Sequence, residues 1–476
     1  MRQLEFAASV ASTAKGFDYP RDAIRDLWDI VLINQFHDIL PGTSIASVYD
    51  DSDADYAKLF AAMQSTQGPF QAALNAICPP GDGLLRLVNF TSQKRDGELV
   101  EFPADVDISG SSIRTQSGRS AIQSITRADG STNFVAAVAD IPAMGWSAAQ
   151  VVQVGKAPST SLSVSETHLE NNLVVVRFDE SGEIKSVFDK TLARELIQPG
   201  KRANQLIAYE DKPQNYDAWD IDHYFEEKCW PLSNTSASIE VVETGSYRAA
   251  LRIVRQYGRS HIVQVISLQD GQKQIEFDTQ IDWQERQTLL KTGFPFDLNV
   301  SETRAEIQFG HVKRPSHKNT SWDQARFESS MHRWVDMSEP DFGAALLTDC
   351  KYGYDAVEQN VRLTLLKGPN MPDPDADLGV HCFRYALLLH QGAQDLSQVV
   401  RAAERFNNPI MVHGSIENGA TEQRELEKDF SFAIVDTANL TLETVKFAEV
   451  GNEAILRIFE HANRRSTGRI EFGLPV

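Results

Sequence analysis

A histidine followed by an aspartate interrupts an apolar pattern near the start of the chain. The pair is His37-Asp38, in the stretch from Asn34 to Ser44, and Pro41-Gly42 follow shortly after it. An imidazole is a common metal ligand, and a neighbouring carboxylate can fix its tautomer. A positively charged imidazole at the C-terminal end of a helix is also favoured by the helix dipole, with no metal involved. The residues alone leave both interpretations open.

A second candidate site combines an indole ring with carboxylates. Asp217, Trp219 and Asp220 lie within the stretch from Tyr216 to Asp222. An indole offers an apolar face to a sugar ring, and carboxylates accept hydrogen bonds from its hydroxyl groups. The alternative is a structured loop between strands, whose polar groups satisfy the backbone. The sequence favours neither reading over the other.

Two further polar stretches are expected to be structural. Asp51-Ser52-Asp53-Ala54-Asp55 has the spacing of a calcium loop, but Tyr56 and Ala62 stand where that loop needs glycine and glutamate. We expect an acidic first turn of a helix there. Polar residues on long loops between strands often only satisfy backbone groups, which is the favoured reading for a later group: His317, Trp322 and Asp323.

The elements that must position His37 are predicted to be helical. Apolar residues at spacings of three and four define one helix face, and Pro41-Gly42 would end that helix: Leu27, Trp28, Val31, Leu32, Phe36 and Ile39. Thr43 or Ser44 could cap the next helix, from about Ile45 to Met63. A third pattern runs from about Phe70 to Ile77. A small antiparallel helical bundle over residues 1–80 is the natural packing.

The chain beyond Pro79-Pro80-Gly81-Asp82-Gly83 is rich in strand patterns. One example is Asn172–Phe178, which a short turn at 179–182 joins to Ile184–Phe188, and the composition predicts a hairpin. The fold class is therefore an α+β multidomain protein, with an N-terminal helical bundle followed by mainly-β domains. We predict a small β domain at 81–160, a large β-sandwich at 161–430 and a C-terminal β segment at 431–476.

Composition excludes several classes of partner. The 476-residue chain carries a net charge of −20, so neither a nucleic acid nor an anionic membrane surface is expected to bind it. Its four cysteines are scattered and form no C-x-x-C pair, which fits a reducing compartment. The N-terminus does not have the pattern of a signal peptide, and no stretch is apolar enough to cross a membrane. We expect a soluble, cytoplasmic protein.

Several segments together resemble glycoside hydrolase family 38, in the branch that contains cytosolic and bacterial α-mannosidases. They occur in family order: the His37-Asp38 segment, Tyr216–Asp222, Gly310–Asp323, Lys351–Asp355 and Pro372–Asp377. Ser316 replaces the usual threonine of the third segment. The resemblance covers essentially the whole chain, and it implies that the large sandwich is similar to galactose-mutarotase-like proteins.

The resemblance implies a retaining, zinc-dependent α-mannosidase that hydrolyses terminal α-linked mannose in mannose-containing oligosaccharides. It makes His37 a zinc ligand and Asp38 a sugar contact, and it suggests substrate contacts at Asp217, Trp219 and Asp220. The family's nucleophile and remaining zinc ligands lie in an N-terminal domain that this sequence does not include, so no catalytic residue is assigned here. That domain is the expected partner, homo-oligomerisation stays open, and we expect the chain alone to be inactive.

Two alternatives remain from the sequence. A stand-alone carbohydrate-binding protein would bind mannosides without a further domain. A mutarotase-like enzyme would need a histidine and an acid converging on one concave face of the sandwich. For the α-mannosidase reading, we expect His37 to end a buried helix and to face open surface with an apolar patch around it.

Overall fold

The computed structural model describes residues 1–80, 83–102, 108–153, 158–393, 396–414, 416 and 424–474. Part of the predicted boundary at Pro79–Gly83 therefore lies outside the described residues. Six α-helices are present in the described part of the chain: α1 (Arg2–Lys15), α2 (Arg21–Ile33), α3 (Ala46–Gln64), α4 (Pro69–Ile77), α5 (Ser321–Gln324) and α6 (Ser397–Asn407). None of these described helices is long and apolar enough to cross a membrane.

The chain forms two compact units. The first comprises Met1–Gln123, Phe134–Pro158 and Asn408–Val476, and the second comprises Ser124–Asn133 and Ser159–Asn407. The first unit is therefore built from stretches that are distant in sequence. The predicted boundaries of four domains stay a prediction. The structure itself separates into the two compact units given above.

Short strands follow helices α1 to α4 in sequence, and the fifth and sixth of them run across the boundaries of the first unit. They are β1 (Leu85–Asn89), β2 (Glu98–Phe102), β3 (Ser111–Thr115), β4 (Gly118–Ala121), β5 (Gln123–Thr126), β6 (Thr132–Val138) and β7 (Gly145–Gln153). The C-terminal part of this unit is also β-structured, in strands named β28 to β33 below. The β1 strand pairs antiparallel with β7, from Leu85↔Ala149 to Asn89↔Gly145.

The second unit is mainly antiparallel sheet. Its strands are β8 (Ser163–Ser165), β9 (His168–Glu170), β10 (Val174–Phe178), β11 (Ile184–Asp189), β12 (Arg194–Glu195), β13 (Gln205–Glu210), β14 (Cys229–Pro231), β15 (Ala237–Thr244), β16 (Arg248–Tyr257), β17 (Ser260–Gln269), β18 (Gln274–Trp283), β19 (Thr288–Pro295), β20 (Glu302–Ile307), β21 (Gly310–Pro315), β22 (Ser329–Ser330), β23 (Trp334–Ser338), β24 (Gly343–Thr348), β25 (Gly353–Val357), β26 (Asn360–Leu366) and β27 (Gly379–His390). The remaining strands, in the first unit, are β28 (Met411–His413), β29 (Phe430–Ser431), β30 (Ala433–Val435), β31 (Leu440–Phe447), β32 (Ala454–Glu460) and β33 (Ile470–Phe472).

Two large sheets of the second unit enclose its core. One has nine strands in the order β15-β16-β17-β18-β27-β24-β23-β20-β21, and the other has six in the order β14-β13-β19-β26-β25-β22. Residues from both sheets, such as Phe277 and Phe294, share one buried hydrophobic cluster. Strands that alternate buried and partly exposed positions, as β18 does, are expected when one face of a sheet is covered. The mainly-β architecture with several sheets is confirmed.

The predicted hairpin is confirmed in β10 and β11. The strands pair from Val174↔Asp189 to Phe178↔Ile184. The Asp179 carboxylate accepts hydrogen bonds from the backbone N–H groups of Ser181 (3.0 Å) and Glu183 (3.1 Å), which fixes the turn. Gly182 has φ of 73°, a left-handed conformation that glycine adopts at no steric cost.

The predicted end of the His37 helix is wrong. The α2 helix ends at Ile33, before His37, rather than at Pro41-Gly42. The Asn34 side chain donates a hydrogen bond to the Ile30 carbonyl oxygen (2.9 Å), and the next N–H groups bond at a tighter spacing, Phe36 to Ile33 (3.1 Å). A short amide side chain that bonds the preceding turn competes with the backbone, and the helix gives way to tight turns.

Two smaller expectations about α3 are also wrong. Its N-cap is Ile45, with no side-chain cap, because Thr43 and Ser44 bond to Asp38 instead. The acidic stretch at 51–55 does not form the first turn, since the helix begins at Ala46 and that stretch lies further inside it. Asp55 is instead tied to Lys58 one turn later (3.1 Å), a pairing typical of helix surfaces.

The core of the first unit joins its N-terminal and C-terminal parts. The α1 helix is buried from Leu4 to Ala11, which is more than one face of a helix. The Phe6 ring lies edge-on to the Phe432 ring at 5.9 Å, and the Phe432 ring contacts the Phe472 ring at 5.8 Å. The helices therefore pack on the C-terminal β segment as well as on one another.

Candidate active-site residues

His37 lies in the turns between α2 and α3, which we call the His37 segment (residues 34–44). Its side chain is 78% exposed, and its ring centroid lies 4.2 Å from that of Phe36. The prediction that it ends a buried helix is wrong, whereas the prediction that it faces open surface is confirmed. The Nε2 atom is 3.6 Å from Asp38 Oδ2, which is beyond hydrogen-bond distance. Its imidazole is therefore accessible to a ligand.

The main chain of Asp38 is what holds the His37 segment in place. The Asp38 carbonyl oxygen accepts hydrogen bonds from Ser44 Oγ (2.8 Å), Thr43 Oγ1 (3.2 Å) and the Tyr49 hydroxyl (3.3 Å). The same Tyr49 hydroxyl accepts a bond from the Ser44 N–H (2.9 Å). Since Tyr49 belongs to α3, this helix fixes the loop beside His37. Sequence reasoning missed Tyr49, because nothing about a tyrosine in the first turns of a helix marks it as a loop anchor.

The surface near His37 in sequence is apolar, as predicted. Large apolar side chains on both sides of it are more than half exposed: Leu32, Ile33, Phe36, Leu40 and Ile45. Isolated exposed apolar residues are ordinary, but a run of them within one short stretch marks an interaction surface.

The His37 segment does not by itself group enough ligands for a metal ion. Over the described ranges of the chain, no three His, Cys, Asp or Glu side chains are grouped so that they could hold a metal ion. A catalytic zinc takes about three protein ligands, of which an accessible imidazole next to a carboxylate is a suitable one.

The second candidate site is a tight turn after β13, which we call the Trp219 turn (residues 216–220). Tyr216 has φ of 55°, and its carbonyl oxygen accepts hydrogen bonds from the N–H groups of Trp219 (2.8 Å) and Asp220 (2.9 Å). The turn presents two aromatic rings to solvent, with Tyr216 70% and Trp219 51% exposed. Their centroids are 6.4 Å apart in an edge-to-face arrangement. An exposed indole held by a rigid turn suits stacking on a sugar ring.

The aspartates of this region differ in their roles. Asp217 Oδ2 accepts the Asn370 N–H (2.6 Å), whereas its Oδ1 is buried without a hydrogen-bond partner. Asp222 accepts the Gln214 N–H (2.8 Å) and the Tyr224 hydroxyl (2.8 Å), and these bonds lower its pKa. Asp220 keeps an exposed carboxylate. Asp217 therefore anchors the turn, and Asp220 is the carboxylate available to a ligand.

A lysine from a distant strand end holds the Trp219 turn. Lys367 Nζ donates to the Asp220 carbonyl oxygen (2.8 Å) and forms an ion pair with Asp211, whose side chain is 1% exposed. Burial raises the pKa of Asp211, and the Lys367 ammonium opposes that rise. Sequence reasoning did not identify Lys367, because its partners are about 150 positions away along the chain.

The third polar stretch is structural in part, as expected. Thr320 caps the one-turn helix α5: its side chain accepts the Asp323 N–H (3.2 Å), and Asp323 accepts the Thr320 N–H (3.2 Å) in return. This reciprocal pair satisfies two donors at the helix start. Trp322, on the same turn, is 85% exposed.

The candidate residues fall in both units. His37 and Asp38 belong to the first unit, and Asp217, Trp219 and Asp220 belong to the second. The first unit thus exposes a His-Asp pair, and the large antiparallel sandwich of the second unit exposes a Trp-Asp turn.

Sequence comparison identifies the family. The profile "Alpha mannosidase middle domain" matches residues 1–74, and "Glycosyl hydrolases family 38 C-terminal domain" matches residues 169–375. The chain belongs to glycoside hydrolase family 38. The whole chain is 31% identical to 44% of the human protein named Alpha-mannosidase 2C1. It is also 29% identical, over 94% of its length, to 43% of Alpha-mannosidase G from Dictyostelium discoideum.

A solved structure has the same fold. An α-mannosidase from Enterococcus faecalis V583 superposes with a TM-score of 0.79 at 15% identity, over 99% of this chain and 62% of that chain. This similarity concerns the fold alone. The chain spans a little under half the length of the curated relatives it matches, so the activity of a whole protein is a matter for the following proposal.

Proposed function

We propose that this chain forms the zinc-binding edge and part of the sugar-binding surface of a retaining α-mannosidase. The reaction is hydrolysis of terminal α-linked mannose in mannose-containing oligosaccharides. The observation that carries the proposal is the His37 imidazole, which is exposed and braced through its neighbour's main chain, in an apolar surface.

His37 would hold the zinc ion, and Asp38 would contact the sugar beside it. A bound zinc polarises the oxygens it coordinates and orients the substrate. Residues of this chain position the imidazole. Tyr49, Thr43 and Ser44 hold the Asp38 carbonyl group, so the backbone that carries His37 is fixed in place. A ligand on a braced loop loses little conformational entropy when the metal binds.

The Trp219 turn would contribute sugar binding. The Trp219 indole offers a face to the apolar side of the ring, and the exposed Asp220 carboxylate accepts hydroxyl protons. Asp217 anchors the turn, because its carboxylate accepts a hydrogen bond from the Asn370 N–H. The large sandwich that carries this turn is, in this proposal, of the galactose-mutarotase-like type.

The nucleophile and acid/base carboxylates would come from an N-terminal domain of the same polypeptide. A retaining glycosidase needs two carboxylates about 5 Å apart across the scissile bond. The human relative is more than twice the length that this chain matches, which leaves room for such a domain. We propose that the chain alone is inactive. A cytoplasmic location is also proposed, because all four cysteines are free thiols.

The mutarotase-like alternative is less well supported. Among the described residues of the sandwich, His390 and Asp336 form a histidine–acid pair joined at 2.7 Å. Their side chains are 1% and 0% exposed, so no sugar reaches them. The pair fits a structural role in the core between β23 and β27.

The test measures zinc content and hydrolysis of an aryl α-mannoside in the full-length enzyme, comparing the native protein with His37→Ala. Both quantities should fall together, since losing one of about four ligands removes metal affinity and charge stabilisation. His168→Ala is the matched control, because His168 lies on β9 and, among the described residues, its side chain bonds to two nearby serines, Ser163 (3.0 Å) and Ser165 (2.7 Å). Normal zinc and normal activity in His37→Ala would overturn the proposal.

A further inference from the structure

A second polar cleft lies in the second unit, between β21, β25 and the α5 turn, and the proposed function does not use it. We call it the Arg314 cleft. It is a shallow cleft, open to solvent, with an enclosed volume of only about 10 Å³, and its lining includes Arg314, His317, Lys318, Asp323, Arg326 and Asp355. The lining holds more basic side chains than acidic ones, in a chain whose net charge is −20.

Both acidic side chains of the cleft are already occupied. Asp355 is 5% exposed and accepts hydrogen bonds from Lys291 Nζ (2.7 Å) and Arg362 Nε (2.7 Å). Asp323 accepts the Thr320 hydroxyl (2.7 Å) as well as the Thr320 N–H of the α5 cap. These carboxylates therefore cannot fully neutralise the cations around them.

Two of the basic side chains have no acidic partner. Among the described residues, neither Arg314 nor Lys318 has a carboxylate within ion-pair distance. Arg314 is nevertheless held in place, since its Nη1 donates to the Tyr354 hydroxyl (3.2 Å) and its guanidinium lies 5.9 Å from the centroid of that ring. The Tyr354 hydroxyl is in turn 3.1 Å from the Thr303 hydroxyl. A guanidinium that is fixed by neutral partners keeps N–H donors free for an anion.

Arg326 adds positive charge at the same place, and the His317 ring lies beside it. Each lies near Asp323, but the distances are 3.6 Å from His317 Nδ1 and 3.7 Å from Arg326 Nη1, which exceed hydrogen-bond length. One carboxylate, already committed to the α5 cap, thus lies between the Arg326 guanidinium and the His317 ring.

We propose that the Arg314 cleft binds a small oxyanion, a carboxylate or phosphate group carried by a small molecule, with Arg314 and Lys318 as its principal ligands. Planar guanidinium groups bind the oxygens of such anions in pairs, and an ammonium adds a point charge. Because the cleft is shallow and open, an anionic group would bind at its surface against the fixed guanidinium of Arg314. This site is independent of the proposed glycosidase function.

The experiment titrates this chain with sodium phosphate and, separately, with sodium acetate, and measures its melting temperature against sodium chloride at equal ionic strength. A bound anion should raise the melting temperature by about 2 °C at saturation. Direct binding is followed by the phosphorus-31 relaxation of inorganic phosphate. A response to phosphate alone assigns the site to phosphate groups, a response to acetate alone assigns it to carboxylates, and a response to both assigns it to either.

The variants are Arg314→Gln and Lys318→Met, and Lys313→Met is the matched control. Lys313 lies on the same strand as Arg314 but pairs with Glu302 at 2.8 Å and does not line the cleft. The anion response should be lost in Arg314→Gln and in Lys318→Met, and kept in Lys313→Met. Lys318 makes no hydrogen bond or ion pair to another described side chain, so its variant should fold even if Arg314→Gln does not.

Two results would overturn the proposal. One is that phosphate and acetate act no differently from chloride at the same ionic strength. The other is that Lys313→Met reduces the response as much as Lys318→Met does, which would show a general charge effect and no defined site.

Discussion

Lys367 is hydrogen-bonded through its ammonium group to the main-chain carbonyl oxygen of Asp220, at 2.8 Å. This single contact ties a residue just beyond β26 to the Trp219 turn. The same ammonium neutralises Asp211, which is buried at the end of β13. The position of the exposed Trp219 indole therefore depends on the ion pair between Lys367 and Asp211.

Replacing Lys367 with methionine should destabilise the second unit by about 3 kcal/mol near neutral pH, because a buried carboxylate loses its counter-charge. Burial raises the pKa of Asp211, so the native state binds this proton more tightly than the unfolded state does. The destabilisation is therefore largest above the native pKa of Asp211 and shrinks as the pH falls towards it. Denaturant unfolding at pH 7.5 and pH 5 measures both effects.

The double variant Asp211→Asn/Lys367→Met separates the charge from the packing. It should recover most of the lost stability at pH 7.5, since no buried charge remains. Equal stability losses at both pH values, with no recovery in the double variant, would show that Lys367 acts through packing alone.

Replacing Tyr49 with phenylalanine should loosen the His37 segment. Its hydroxyl bridges the Asp38 carbonyl oxygen and the Ser44 N–H, and its loss should cost about 1 kcal/mol of stability. In the full-length enzyme, zinc affinity should fall roughly tenfold, as is typical when a group behind a ligand is removed. Competition with a zinc chelator measures the affinity.

Tyr56→Phe is the control for that measurement. Tyr56 lies on the same helix, where its ring stacks on Phe60, and its hydroxyl has no hydrogen-bond partner among the described residues. Unchanged zinc affinity in both variants would argue against a role for Tyr49 in placing His37.

Replacing Trp219 with alanine should raise the KM of the full-length enzyme for mannosides about tenfold, which corresponds to roughly 1.4 kcal/mol of binding. The value of kcat should change little, because stacking stabilises the bound substrate and the transition state alike. Trp230→Ala, which removes another half-exposed indole from β14, should leave KM unchanged. A fall in kcat at constant KM would contradict the assignment of Trp219 to substrate binding.

The chain by itself should fold but should not hydrolyse an aryl α-mannoside, even with zinc added. Its two units have extensive buried clusters, which account for folding. Turnover would need a nucleophilic carboxylate at the site, since binding alone does not accelerate the chemistry. Purified chain is assayed beside its His37→Ala variant. Activity above background that vanishes in the variant would show that the chain contains a working site.

The local features of the fold were predictable from the sequence. The hairpin of β10 and β11 follows from two apolar runs and the Asp179–Gly182 turn, because all of the determining residues lie within a few positions of one another. The end of α2 was predicted wrongly for a related reason. The apolar spacing continues past Ile33, and only the geometry of the Asn34 side chain shows that the helix has already ended.

The supports of the candidate sites could not be predicted in the same way. His37 and Trp219 were identified from their residue types, but the groups that hold them come from other elements. Lys367 and Asn370 reach the Trp219 turn from about 150 positions away, and no local pattern encodes such a contact. The apolar spacing that continues through Phe36 would by itself predict burial, and only the expected interaction surface around His37 indicated the exposure that is observed.

The contact between Phe6 and Phe432 has a consequence for biosynthesis. A ribosome releases the chain from its N-terminus, so the α1 helix emerges more than 400 residues before the strands that bury it. The second unit, whose longest continuous stretch is Ser159–Asn407, has its sheets available earlier. We expect the part of the α1 surface that the C-terminal strands cover to stay exposed until those strands have been synthesised, which makes it a natural substrate for chaperones during synthesis.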